Sequence, residues 1–161
     1  MYLYAVEVGN KIQKVIALLP PEQVKGIKLA SQCILGSLKN NGFEDDDINL
    51  GNFYPNPTFI NFLHGVIAKY GTQVSSLSAQ AQKQEKGWVY IIDARCPDPQ
   101  GRVLPEDIIG AFEVVNGKIT SDSYKKNDKH LIFSEKGFFK LQSTLNKYLI
   151  QESLKLLEKG G

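Results

Sequence analysis

One run of residues constrains this chain more than any other. WVYIIDA, residues 88–94, is nearly continuous in apolar and aromatic side chains and then ends in charge. A run of that length and character predicts a β-strand buried on both faces. At its exit stand Asp93, Arg95 and Cys96, followed by the turn-rich CPDPQG. Asp93 and Arg95 are two apart, so on extended backbone both point to one side. Ligands in open parallel sheets bind beyond such strand ends, which makes this exit the first place to look for a site.

The rest of the chain supplies elements of both kinds. Residues 2–19 read as a hairpin turning at Gly9-Asn10. Pro20-Pro21 opens a helix, because Val24, Ile27, Ala30, Ile34 and Leu38 recur at helical spacing up to Asn40-Asn41-Gly42. Asn56-Pro57 starts a second helix, with Phe59, Phe62, Leu63, Val66, Ile67 and Tyr70 on one apolar stripe and Gly71 at its end. Residues 74–86 predict a more exposed helix. Pro105-Glu106-Asp107 begins a short helical turn, and Asn116-Gly117 joins GAFEVV to KIT as a hairpin. SDSYKKNDKH is a polar loop, HLIF a short strand, and residues 144–159 an amphipathic C-terminal helix. Strands and helices are partly segregated, which predicts one α+β domain over residues 1–161, with a mixed or antiparallel sheet packed with about four helices.

Composition excludes several classes of function. There are 19 basic and 17 acidic residues, a formal charge of +2, which argues against a nucleic-acid footprint. No stretch approaches a membrane span, and the opening residues lack a secretory signal pattern. Two cysteines give no disulfide framework. A cytoplasmic protein is expected. The acidic run from Glu44 to Asp47 lacks the alternation of a calcium loop, and no histidine–cysteine spacing matches a zinc site, so neither metal nor cofactor is expected. Only Arg95 and Arg102 offer a guanidinium fork for anions. The candidate ligand-binding residues are Asp93, Arg95, Glu106 and Asp107, with Tyr124, Asn127 and His130 facing them across a cleft. Cys96 with His130 and Asp93 contains the residue types of a nucleophile, base and orienter. His64 lies at the edge of an apolar stripe, where a hydrogen-bonded histidine is the default.

Residues 74–112 resemble part of the enterotoxin-A-like ADP-ribosyltransferases. VSSLS, a helix, WVYII and EDIIGAF follow the order of that family's Ser-Thr-Ser strand, helix, aromatic strand and hydrophobic-Gly-Ala-aromatic segment. VYIIDARCPDP is similar to its Tyr-Arg-x-Asp-x-Arg-x-Pro motif, with Ile91 in place of the first arginine. The early strands carry no arginine, and no two glutamates stand two apart, so the Glu-x-Glu pair is missing. The resemblance implies a related scaffold without the standard catalytic set.

Three functions follow as expectations. The first is a small-molecule- or protein-binding domain without catalytic machinery, in which Arg95→Ala abolishes binding and leaves the melting temperature unchanged. The second is an enzyme acting on a nucleotide or NAD-like substrate, using Arg95 with Glu113 or His130. The third is an oligomeric module with an exposed aromatic face from Phe138, Phe139 or the C-terminal helix.

Overall fold

A computed structural model describes residues 1–24, 28–39 and 48–159 of the chain. The fold is α+β. Among the described residues it contains three α-helices and ten strands, fewer helices than the sequence predicts. Ile27, the Asn40-Asn41-Gly42 stop and the Glu44–Asp47 run lie outside the described residues. Every paired strand is antiparallel, so the parallel-sheet crevice expected beyond residue 92 has no basis. The chain divides into two compact units, Met1–Leu63 with Leu149–Gly161, and His64–Tyr148.

The first unit is built on a four-stranded sheet in the order β1-β2-β3-β4: Tyr2–Val8, Lys11–Ala17, Ile34–Leu38 and Phe53–Pro55. The β1–β2 hairpin turns where predicted, with Gly9 at φ 64. The helix expected from residue 21 to 38 is replaced by 3-10 turns at Pro21–Gln23 and Ser31–Cys33, followed by β3. The reason is tertiary. Gly36 sits opposite both Ile16 and Pro55, in the middle of the sheet. A β-carbon there would collide with the Tyr54 carbonyl oxygen and come within 2.6 Å of the Phe53 ring. Ladder pairing on both edges of β3 outweighs a helical spacing interrupted by a glycine. Leu19, Val24, Cys33 and Leu157 form a buried cluster in this unit. The Cys33 thiol is buried and burial pushes its pKa up, so it serves as a small apolar side chain.

Helix α1 (Pro57–Tyr70) starts as its sequence requires: Asn56 Oδ1 accepts from the Thr58 amide at 3.1 Å. Its stripe is buried at Phe59, Leu63, Val66 and Ile67, each worth ~1.5–3 kcal/mol of burial.

The second unit carries a sheet of β5 (Gly87–Ile92), β6 (Ile108–Val115), β7 (Lys118–Ile119) and β8 (Lys125–Lys126), with β6 central. Helix α2 (Ser75–Gln84) precedes β5, and α3 (Ser143–Lys159) ends the chain. The β6–β7 turn uses Asn116 at φ 51 and Gly117 at φ 76, the two positive values a type I′ turn needs. Strand β5 departs from expectation. Val89 and Ile91 are buried, whereas Tyr90 is 54% exposed and Trp88 half-buried. A strand covered on one side needs only alternate positions in the core, and Trp88 and Tyr90 belong to the open face. The segment read as a polar loop contributes β8, which pairs with β6 at Gly110 and Ala111. The expected HLIF strand is limited to β9 (Phe133–Ser134), which pairs with β10 (Gly137–Phe138). Phe139 is buried, and Phe138 packs on Phe133 with centroids 4.6 Å apart, so these rings do not form the exposed aromatic face expected. No helix of the described residues is long and apolar enough to cross a membrane.

The two readings of residues 34–38 predict opposite signs for one substitution. In a helix, Gly36→Ala would stabilise by roughly 1 kcal/mol. In β3 it should cost ~1–3 kcal/mol through overpacking. A urea titration of the variant decides between them, and a rise in the midpoint would contradict the strand.

Candidate functional site

The exit of β5 becomes a closed polar knot. The Asp93 amide donates to the Asp107 carbonyl at 2.7 Å, one bond beyond the β5–β6 ladder. The Arg95 guanidinium lies between the two acids. Its Nε donates to Asp107 Oδ1 at 3.1 Å and stands 3.4 Å from Asp93 Oδ2. Nη1 donates to the Gly137 carbonyl at 2.8 Å. Nη2 donates to the Glu106 carbonyl at 3.1 Å and to the Leu131 carbonyl. Asp93 is equally occupied. Its Oδ1 accepts from the amides of Arg95 and Lys140 at 3.1 and 2.9 Å, and Oδ2 lies 2.9 Å from His130 Nε2. The side chains of Asp93, Asp107, Arg95 and His130 are all 2% exposed or less.

Lys136 completes the knot, a residue without any distinguishing sequence signal. Its Nζ lies 2.7 Å from Asp107 Oδ2 and 3.3 Å from Glu106 Oε1. Burial pushes the Asp107 carboxyl up, but hydrogen bonds and charge from Lys136 and Arg95 outweigh it and hold its pKa below the ordinary value. The partner effect raises the Lys136 pKa through its bond to Asp107. Asp107 therefore adds stability above the ordinary aspartate pKa and loses it as pH falls through its lowered value. Lys136 adds stability below the ordinary lysine pKa and loses it as pH rises through its raised value.

Five of the seven candidates, Asp93, Arg95, Glu106, Asp107 and His130, thus come together, but as a filled cluster rather than around a hollow. Among the described residues no buried side-chain nitrogen or oxygen lacks a partner. Cys96 is buried, and His130 Nε2 lies against Asp93 Oδ2. Asn127 acts as a loop clasp: its amide donates to the carbonyls of Pro105 and Ile108 at 2.8 and 2.7 Å. Tyr124 stands apart from the knot. Its hydroxyl is 2.6 Å from His64 Nδ1, and its ring packs on Phe112 with centroids 5.1 Å apart. Gly110 leaves room for that ring, since a β-carbon there would lie 2.6 Å from Tyr124 Cε2. Among the described residues no group of three or more histidines, cysteines and carboxylates is placed to hold a metal.

Two concave surfaces lie elsewhere in the same unit. A depression of about 1030 Å³ runs along α2 and the β6–β7 hairpin, lined by Gln82, Glu85, Lys86, Lys118 and their neighbours, and it holds none of the candidates. A groove of about 420 Å³ crosses the open face of β5, β6 and β8. Trp88, Tyr90, Ile108, Ala111, Lys125 and Lys126 line it, with Asn127 at its margin. Lys125 Nζ stands 5.2 Å from the Trp88 ring centroid. The smaller groove has the better chemistry for recognition, because it joins exposed aromatic area to fixed positive charge. The sequence held this signal in the alternation of Trp88 and Tyr90, but their aromatic character was read as burial. No protein-family model, no curated protein and no solved structure matches the chain.

Two outcomes follow. Removing the Arg95 side chain leaves two buried carboxylates without their shared cation. Arg95→Ala should therefore cost about 3–5 kcal/mol and lower the melting temperature by on the order of 10 °C, against the unchanged value expected from sequence. Calorimetry checks this, and an unaltered melting temperature would show the knot to be dispensable. For His64, burial, aided by His130 and Lys126, lowers the pKa to about 4. A base whose folded pKa is depressed contributes fully above its unfolded value of ~6.5 and progressively less as pH falls toward 4. Stability should fall by on the order of 3 kcal/mol across that window. His64→Gln should flatten the dependence when denaturation midpoints are measured from pH 7 to 4.

Proposed function

We propose that this chain is a binding domain without catalytic machinery of its own, and that its binding surface is the open face of β5, β6 and β8. The observation that carries the reading is the pairing of Tyr90, 54% exposed, and half-buried Trp88 with Lys125 in one groove. Large apolar side chains on a sheet face otherwise leave water unfavourably ordered around them, and such positions mark contact sites. The titratable candidates support the same reading, because Asp93, Arg95, Asp107 and His130 are engaged with one another in a buried cluster. Cys33 and Cys96 are free and buried, in keeping with a reducing cytoplasmic setting.

Trp88 is the chain's one tryptophan, so its emission reports on this groove. The test is a panel of a neutral planar ring (indole), a proline-rich peptide, a mononucleotide, NAD and a short single-stranded oligonucleotide, scored by Trp88 emission and thermal shift. At least one member should move both, and Tyr90→Ala should abolish the response while leaving the melting temperature within a few degrees. A panel that moves neither would sink the reading. Nicotinamide release from NAD should stay at the uncatalysed level; release above it would establish the enzyme alternative of the ADP-ribosyltransferase resemblance.

A further inference from the structure

We infer that the hydrogen bond between His64 and Tyr124 is an acid-sensitive latch: it holds strand β8 against β6, and uptake of a proton by His64 releases the strand. The latch stands apart from the reading of the open face as a binding surface and holds whatever that face binds. Tyr124 directly precedes β8. Its ring fills a slot that Gly110 leaves open and packs on Phe112, both residues of β6. Its hydroxyl stands 2.6 Å from His64 Nδ1. β8 itself is two residues long, pairing Lys125 with Ala111 and Lys126 with Gly110. A ladder that short is marginal by itself, so the seated tyrosine decides whether β8 stays in place. Ser123, bonded to Glu113 and Thr120, anchors the segment upstream, and the Asn127 side chain anchors it downstream. Tyr124, Lys125 and Lys126, between the anchors, are the part that lifts.

The latch works only while the imidazole is neutral. A buried phenol needs an acceptor for its proton. Burial pushes the Tyr124 pKa further above the ordinary tyrosine value, so the proton stays on the oxygen, and the lone pair of Nδ1 accepts it. Protonation of His64 occupies that lone pair. The hydroxyl oxygen would then have to accept, leaving the phenol proton with nowhere to go. Among the described residues the hydroxyl has no second hydrogen-bond partner. The charged ring would also lack a counter-ion. Besides Tyr124, the titratable and charged groups facing it are His130, Lys126 and Asp128. His130 and Lys126 oppose a positive charge there. Asp128 favours one, but its carboxylate is 87% exposed and already 3.9 Å from Lys126, where water weakens its reach. Swinging Tyr124 out of its slot lets water solvate the imidazolium and carries Lys126 away from it.

Acid therefore favours the open form. In the closed latch burial, aided by His130 and Lys126, lowers the His64 pKa to about 4. Once water reaches the ring, the value returns toward ~6.5. The open form takes up the proton at the higher pH, so the opening equilibrium rises by on the order of 100-fold between pH 7 and 4. An opening sampled about one time in a hundred at neutral pH becomes a major form at pH 4. Lys125 Nζ, 5.2 Å from the Trp88 ring centroid, travels with β8, so release also uncovers that ring.

The experiment is hydrogen exchange on the full chain, resolved amide by amide and corrected for the intrinsic rate at each pH. The reporter is the Lys125 amide, opposite Ala111 in the β8–β6 pairing. The references are the Val89 and Ile91 amides within the β5–β6 ladder, which report opening of the sheet as a whole. Lys125 should be protected at pH 7, but well below the references, and its protection should fall by on the order of 100-fold by pH 4. His64→Asn places an oxygen that does not titrate in this range near the position of Nδ1, and it should remove the fall. Tyr124→Phe keeps the ring and loses the hydroxyl, and it should lower Lys125 protection at pH 7 by roughly two- to tenfold. The inference is overturned if Lys125 is unprotected at pH 7, since nothing then holds β8. It is overturned equally if Lys125 is protected as strongly as Val89 and Ile91, since β8 then opens only with the whole sheet. Protection that is the same at pH 7 and 4, or a fall that persists in His64→Asn, would separate the opening from His64 and also defeat it. Should His64→Asn fail to fold, Tyr124→Phe decides: unchanged Lys125 protection at pH 7 removes the latch.

Discussion

A guanidinium buried between two carboxylates organises the second unit. Arg95 carries its charge where water cannot reach it, and Asp93 and Asp107 flank it on either side. Ions removed from water at this depth are tolerable only with partners of good geometry for their remaining donors and acceptors. Those partners are backbone carbonyls at Glu106, Leu131 and Gly137, and amides at Arg95 and Lys140. Each belongs to a different stretch of loop. The need to satisfy one cation therefore fixes where the Pro105–Asp107 turn, the residues before β9 and the β9–β10 hairpin meet the end of β5. An apolar core would draw the same segments together without specifying their register as closely.

This arrangement explains why the residues with the most suggestive chemistry are poor candidates for performing it. An aspartate, an arginine and a histidine at a strand exit have the composition of a site. Among the described residues every buried side-chain nitrogen and oxygen has a partner, and the histidine side chain is 2% exposed. The proposed recognition surface uses groups with less chemical character. An aromatic pair and Lys125 on an open sheet face remain accessible because β5 is packed on one side alone. The buried knot and the proposed recognition surface thus draw on the same two strands.

Much of the fold was legible in the sequence where local chemistry decides it. Gly9-Asn10 and Asn116-Gly117 turned hairpins because those residues accept positive φ. Asn56-Pro57 began α1 because the Asn56 side-chain oxygen accepts from the Thr58 amide and proline, which has no N–H to satisfy, fits the first turn. The site was legible in part: Asp93, Arg95, Glu106, Asp107 and His130 do converge. Lys136 was not, since a lone lysine beside a glycine has no pattern to mark it. Nor was the sense of the convergence, because a cluster that binds a ligand and one that binds itself draw on the same residue types.

The amino-acid order by itself determined the α+β class, the positions of the turns and caps, and the amphipathic stripes of α1 and α3, all of which depend on interactions within a few residues. Three things waited for tertiary structure. Residues 34–38 became a strand because partners on both edges, β2 and β4, supply ladder bonds that the local helical spacing cannot outbid. Trp88 and Tyr90 became surface because burial is a property of what packs on a strand, and an aromatic side chain is the same on either face. Arg95 became structural because its acceptors come from positions up to 42 residues away, and whether a buried cation is satisfied or left open to a ligand is decided by which carbonyls the finished fold brings to it.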